Sequence, residues 1–249
     1  NHRFRTRLIA TGSIAGGVIQ GDLILAGGGD PLLSTDHLAS MAAQLKAAGI
    51  TEVKGKFLVY DGALPRVKTI DKDQPVQVGY SPAVSGIALN NNRVHFEWRR
   101  ASGQYTTTMD ARSAKYRPDV AMAKMRIAAR DAPVFTYGDK GGVDNWTVAR
   151  GALGGGGSRW LPVRKPALYA ADVFATMAGA QGIRLKPVKI VNKVSAGTAL
   201  VTHQSAPLRE ILRDMLKYST NLTAEMVGMA ATVKRRGKVG GLKASANEM

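Results

Sequence analysis

The stretch HQSAPLREILRDMLKYSTNLTAEMV, His203–Val227, joins two helical patterns across one polar turn. Ser205 precedes Pro207, which suits a first helical turn because no N–H is needed there. Leu208, Ile211, Leu212, Met215 and Leu216 then recur at the i, i+3, i+4, i+7, i+8 spacing of a buried stripe. The pattern stops at Tyr218-Ser219-Thr220-Asn221 and restarts with Leu222, Met226, Met229, Ala230 and Val233 on one face. Ser and Asn are favoured caps, so Ser219 or Asn221 can accept backbone N–H groups at the start of the second helix. The same alternation also has a chemical use. A hydroxyl passes a proton, and a carboxamide donates and accepts at once. A histidine-free serine acyl-transfer centre needs both groups. Its nucleophilic Ser is deprotonated by a Lys, a second Ser relays the proton to the leaving amine, and an Asn positions the Lys and the substrate amide.

Upstream, the chain alternates strand and helix signals. Arg5–Ala10 and Val18–Ala26 read as strands, the second leaving through Gly27-Gly28-Gly29-Asp30-Pro31. Ser34 or Thr35 can cap a helix with Leu38, Met41, Ala42, Leu45 and Ala48 on one face and Gly49 at its left-handed end. Val53–Tyr60 follows as a strand. From Ala83 to Arg130 the texture is β-rich. Val94, Phe96 and Trp98 alternate with His95, Glu97 and Arg99 as in a half-buried strand, and Asn90-Asn91-Asn92 before it signals a turn. Tyr105–Met109 and Met122–Ala129 read as further strands. Gly151–Ser158 (GALGGGGS) reads as a linker, since a phosphate loop requires a Lys that Ser158-Arg159 does not supply. Ala167–Ala180 reads as a helix, Leu185–Val191 as a strand, and a further helix begins near Gly241.

Several chemistries are excluded. There is no cysteine, hence no disulfide or thiolate site in these residues. His2, His37, His95 and His203 show no metal-ligand spacing, and there is no Gly-x-Ser-x-Gly or Gly-x-Gly-x-x-Gly motif. No metal or other cofactor is expected. No apolar run approaches the roughly 18 residues of a membrane span. The net charge of +17 suits anionic partners such as nucleic acid, anionic lipid or acidic wall polymers, and equally a solvated basic surface. The basic clusters Arg3/Arg5/Arg7, Arg99/Arg100 and Lys234/Arg235/Arg236/Lys238 sit on no nucleic-acid motif, so no nucleic acid is expected.

The motifs Ser205-x-Pro207-Leu208, Ser219-x-Asn221 and Ala224-Glu225 resemble those of the type-4 (class C) penicillin-binding proteins, D-alanyl-D-alanine carboxypeptidase/endopeptidases. RFRTRL and GDLILAGGGDPLL are similar to the segment after that family's nucleophile helix. KPALYAADVF is similar to its later Asn-Pro-x-x-Tyr helix, with Lys165 in place of the Asn. The likeness runs collinearly along the chain and is loosest over 64–150.

This resemblance implies an α+β multidomain fold, part of a β-lactamase-like transpeptidase domain with inserted accessory domains, one of them β-rich. The expected division is a catalytic-domain/insert junction at 1–20 and a discontinuous accessory α/β domain at 21–75 and 146–190. A nested β-rich insert follows at 76–145, and a part of the catalytic domain at 191–249. The resemblance also implies a serine DD-peptidase of peptidoglycan maturation, acting outside the cytoplasmic membrane on stem peptides and acylated by β-lactam antibiotics. It further implies a signal peptide upstream; Asn1–Arg7 lacks the apolar core of one. Ser219 and Asn221 are the catalytic residues that carry over. Ser-x-x-Lys and Lys-Thr-Gly do not occur in the chain, so it reads as an internal fragment, inactive alone. The competing reading is a non-catalytic protein that holds anionic cell-wall polymer on the same scaffold.

Overall fold

The structure, a computed structural model, describes residues 1–249. β1 (Arg5–Ala10) is followed by the short hairpin of β2 (Ile14–Ala15) and β3 (Val18–Ile19), then β4 (Leu23–Ala26). After α1 (Thr35–Ala47) come β5 (Glu52–Val53) and β6 (Phe57–Tyr60). The sequence reads Val18–Ala26 and Val53–Tyr60 as single strands, but each is two. Both break at a backbone crossing: the Gly55 N–H donates to the Gly21 carbonyl at 3.0 Å, and a Cβ on Gly21 would lie 1.9 Å from the Thr11 carbonyl oxygen. Only glycine admits so close an approach. Beyond the crossing, β2, β3 and β5 form their own small sheet.

Ser34 is the cap of α1. Its hydroxyl accepts from the His37 N–H, and His37 Nδ1 accepts from the Ser34 N–H. Leu38, Met41, Ala42 and Leu45 are buried as their spacing requires, and Gly49 closes the helix at φ +83°. Ala48 lies outside the buried face, at the exposed C-cap.

β7 (Arg93–Ala101) pairs antiparallel with β8 (Gln104–Asp110), while β9 (Ala123–Ala128), β10 (Phe135–Lys140) and β11 (Val143–Ala149) form a second sheet. β12 (Gly156–Pro162) then pairs with β7 along its other edge. Gly151–Ser158 is therefore not a free linker, because its second half is the start of β12. Gly157 lies flat on the Trp98 ring, where a Cβ would stand 2.7 Å from a ring carbon. His95 also departs from the alternation: it is buried, with Nδ1 3.8 Å from the Asp110 carboxylate.

α2 (Pro166–Ala180), β13 (Val188–Val191) and β14 (Thr198–Gln204) complete a five-stranded sheet of order β13-β6-β4-β1-β14. Leu8, Leu23, Leu25, Phe57 and Val59 on these strands join the main core together with α1 and α2. This sheet takes strands from 5–10 and 198–204, which the sequence reading assigned to the junction and to the catalytic part. Register explains the membership: β14 pairs with β1 from Arg5↔Gln204 to Ala10↔Thr198.

The chain ends in α3 (Leu208–Tyr218), α4 (Asn221–Arg236) and α5 (Leu242–Ala246). α4 buries Leu222, Met226 and Met229 against Leu64, Val84 and Ala88. On α3 only Ile211 is buried, and Leu216 is 77% exposed. The periodicity is present, but no element covers the far side of the stripe.

Candidate active site at the Ser-x-Asn turn

The turn between α3 and α4 is built by two backbone choices. Ser219 ends α3 in the left-handed region, φ +51° and ψ +51°, with its N–H donating to the Met215 carbonyl. Thr220 returns to extended backbone, and its carbonyl accepts the Ala224 N–H, starting α4. The N-cap is thus Thr220, not Ser219 or Asn221, and no side chain caps α4. The reversal at Ser219 leaves its hydroxyl exposed and without a hydrogen-bond partner in the chain. Asn221, also exposed, donates from Nδ2 to the Tyr80 carbonyl at 3.2 Å. That bond orients the carboxamide and leaves its oxygen free to accept.

The structure thus places both sequence-identified residues, two positions apart, on one exposed turn. It adds Tyr80, which the sequence reading missed. Tyr80 belongs to the irregular segment after β6, and its hydroxyl donates to Gln74 Oε1 at 2.8 Å. One helical turn beyond Asn221, Glu225 is half-buried, and burial raises its carboxyl above the usual carboxylate range.

The other motifs support this segment. The Ser205 hydroxyl accepts the Phe4 N–H at 2.9 Å and donates to the Ala206 carbonyl, pinning the entry to α3 beside β1. Tyr169 on α2 is fully buried and donates to the Arg93 carbonyl at 2.9 Å, and burial drives its hydroxyl far above the ordinary tyrosine value. Lys165 donates to Asp139 at 2.6 Å and approaches Asp144 at 3.4 Å. Asp144 is wholly buried, and desolvation raises its carboxyl despite hydrogen bonds from the Arg164 N–H and the Tyr137 hydroxyl. The Tyr137 hydroxyl is itself pushed up to about 12 by burial. These groups hold elements together and do not touch the turn.

The turn between α3 and α4 thus carries a hydroxyl and a carboxamide two residues apart, the pair found in the Ser-x-Asn element of serine acyl-transfer enzymes that use lysine as the base. The chain belongs to the D-Ala-D-Ala carboxypeptidase 3 (S13) family, whose model matches residues 1–246. It is 26% identical over 246 residues to the D-alanyl-D-alanine carboxypeptidase of Actinomadura sp. (strain R39), covering 91% of this chain and 45% of that protein. It is 25% identical to the D-alanyl-D-alanine carboxypeptidase DacB of Haemophilus influenzae, covering 90% of this chain and 48% of that protein. The chain therefore spans about half the length of these relatives. Among solved structures, penicillin-binding protein 4 (dacB) from H. influenzae superposes with a TM-score of 0.78 at 19% identity, over 99% of this chain and 56% of that one. The same protein complexed with a β-lactam superposes at 0.73. This likeness shows the fold: the α+β body of a penicillin-binding protein.

Proposed function

We propose that this protein is a serine-type DD-peptidase of peptidoglycan maturation. It cleaves the terminal D-Ala-D-Ala bond or peptide cross-links of stem peptides through an acyl-enzyme, outside the cytoplasmic membrane. No helix of the chain is long and apolar enough to cross a membrane. Ser219 relays the proton to the departing D-alanine nitrogen. Asn221 holds the general-base Lys and the substrate amide. β-Lactams enter the same centre, as the complexed relative supports. The five-stranded sheet with α1 and α2 is the accessory α/β domain, the sheets of β7–β12 its β-rich insert, and α3–α5 part of the transpeptidase domain.

The observation that carries this reading is the turn itself. Left-handed Ser219 presents an unbonded, exposed hydroxyl while the Tyr80 carbonyl fixes the Asn221 carboxamide beside it. A polymer-binding protein without catalysis has no use for that arrangement. Neither Ser-x-x-Lys nor Lys-Thr-Gly occurs among these 249 residues, which supply relay and positioning groups but no nucleophile. Labelling with a fluorescent penicillin tests this. The intact protein should be acylated and the 249-residue chain should not. Asn221→Ala in the intact protein should slow acylation about 100-fold without unfolding it. Acylation of that variant at the unaltered rate would refute the role given to Asn221.

A further inference from the structure

Arg93 opens β7, and its side chain is half-buried with no acidic partner within ion-pair distance and no hydrogen bond to protein. Burial pulls its guanidinium below the ordinary arginine value. A desolvated, uncompensated cation is costly, and one-sided burial of this kind is normally relieved by a counter-charge. The group is held in place on purpose-built backbone. Asn90, Asn91 and Asn92 all lie at positive φ, +50°, +56° and +48°. The Asn90 amide bonds Thr35 and the Asn92 amide bonds Leu89 and Ala83, which offsets their strain. Asn91 receives no such compensation, and its buried Oδ1 has no partner. Strain kept without internal reward is a mark of a ligand site. Trp160 backs the guanidinium at 5.3 Å, Arg93 Nε is buried without a partner, and Arg93 lines a cleft of about 380 Å³. Two further charged residues line the same cleft: Arg112 is already neutralised by Asp110 and Glu97, and the Asp36 carboxylate accepts from the Ser113 hydroxyl and the Lys115 N–H.

We propose that this cleft is a carboxylate-binding site, with Arg93 as its anchor, that takes a free carboxylate of peptidoglycan stem peptides. The choice of peptidoglycan rests on the peptidase reading above, whereas the carboxylate chemistry rests on Arg93 alone. The cleft also adjoins the Ser-x-Asn turn through one loop. A Cβ on Gly79 would stand 3.1 Å from Arg93 Cδ, and the next residue, Tyr80, accepts the Asn221 bond. Arg93 thus packs against the residue that precedes the one orienting Asn221.

The test is a titration of the intact protein followed by the side-chain Nε–H resonance of Arg93, assigned by its loss in Arg93→Gln. A soluble muropeptide with free stem carboxylates should shift it, and the same muropeptide with every carboxylate amidated should not. Arg93→Gln should weaken muropeptide binding about tenfold or more, with an unchanged or raised melting temperature, because an unpaired half-buried charge has gone. A lowered melting temperature would make Arg93 structural and overturn the proposal. So would an equal shift with the amidated muropeptide or with inorganic phosphate. The resonance does not depend on turnover, so a protein that binds carboxylate but cleaves nothing refutes the peptidase reading and leaves this site intact.

Discussion

Ser219 separates folding from chemistry within one residue. Its left-handed backbone costs a non-glycine residue about 1 kcal/mol, and its unbonded hydroxyl repays nothing inside the chain. Ser219→Gly is therefore expected to raise unfolding free energy by up to about 1 kcal/mol in urea titrations. In the intact protein the same change should slow acylation by about 100-fold or more, the loss of one positioned proton-transfer group. A variant that gained stability and kept its acylation rate would show that the hydroxyl is not the relay. The pair itself was legible in the sequence, because Ser-x-Asn between two apolar stripes is local information. Tyr80 was not legible: its contact with Asn221 spans 141 positions. The carbonyl that does the holding is one every residue possesses.

At the scale of elements, periodicity reports which residues share a face and is silent on whether anything covers it. α3 shows the difference. Leu208, Ile211, Leu212, Met215 and Leu216 form the stripe the spacing requires, yet Ile211 alone is sealed. Ile211→Ala should cost about 2–4 kcal/mol in the 249-residue chain, while Leu216→Ala should stay within about 0.5 kcal/mol. Comparable losses from both in chemical denaturation would mean that the outer face is covered in solution. The hairpin of β10 and β11 failed to register for another reason. Its two-residue turn, Gly141-Gly142 at φ +62° and +77°, is a strong hairpin signal. The flanking Thr136-Tyr137-Gly138-Asp139-Lys140 carries too little apolar alternation to announce a strand. The strand breaks at Gly21 and Gly55 were likewise hidden, since they follow from two backbones crossing and not from either segment alone.

Across the whole molecule, the β-rich sheets share one continuous apolar core with the five-stranded sheet and its helices, and buried polar groups add a second linkage. Asp144 on β11 accepts the Arg164 N–H at 2.8 Å and the Tyr137 hydroxyl at 2.9 Å, with Lys165 at 3.4 Å. The Arg164 guanidinium donates to the carbonyls of Lys68, Val76 and Ser81, carrying the linkage to the loop before Asn221's partner. The sequence shows Arg164-Lys165-Pro166 only as a helix start, because none of these partners is local. Asp144→Ala should therefore destabilise the chain by about 3 kcal/mol at neutral pH, the cost of leaving buried donors unmatched. The pH dependence has a definite sign. Burial raises the Asp144 carboxyl in the folded state, so the folded chain binds this proton more tightly than the unfolded one. Its contribution is then most favourable below the ordinary carboxylate range, and it declines as pH rises through the interval up to the raised value. The penalty for Asp144→Ala should accordingly be larger at about pH 4 than at about pH 7.5. Urea unfolding of both proteins at the two pH values measures it. A penalty that grew with pH would mean that ion pairing with Lys165, and not desolvation, governs the carboxyl that joins the two halves of the fold.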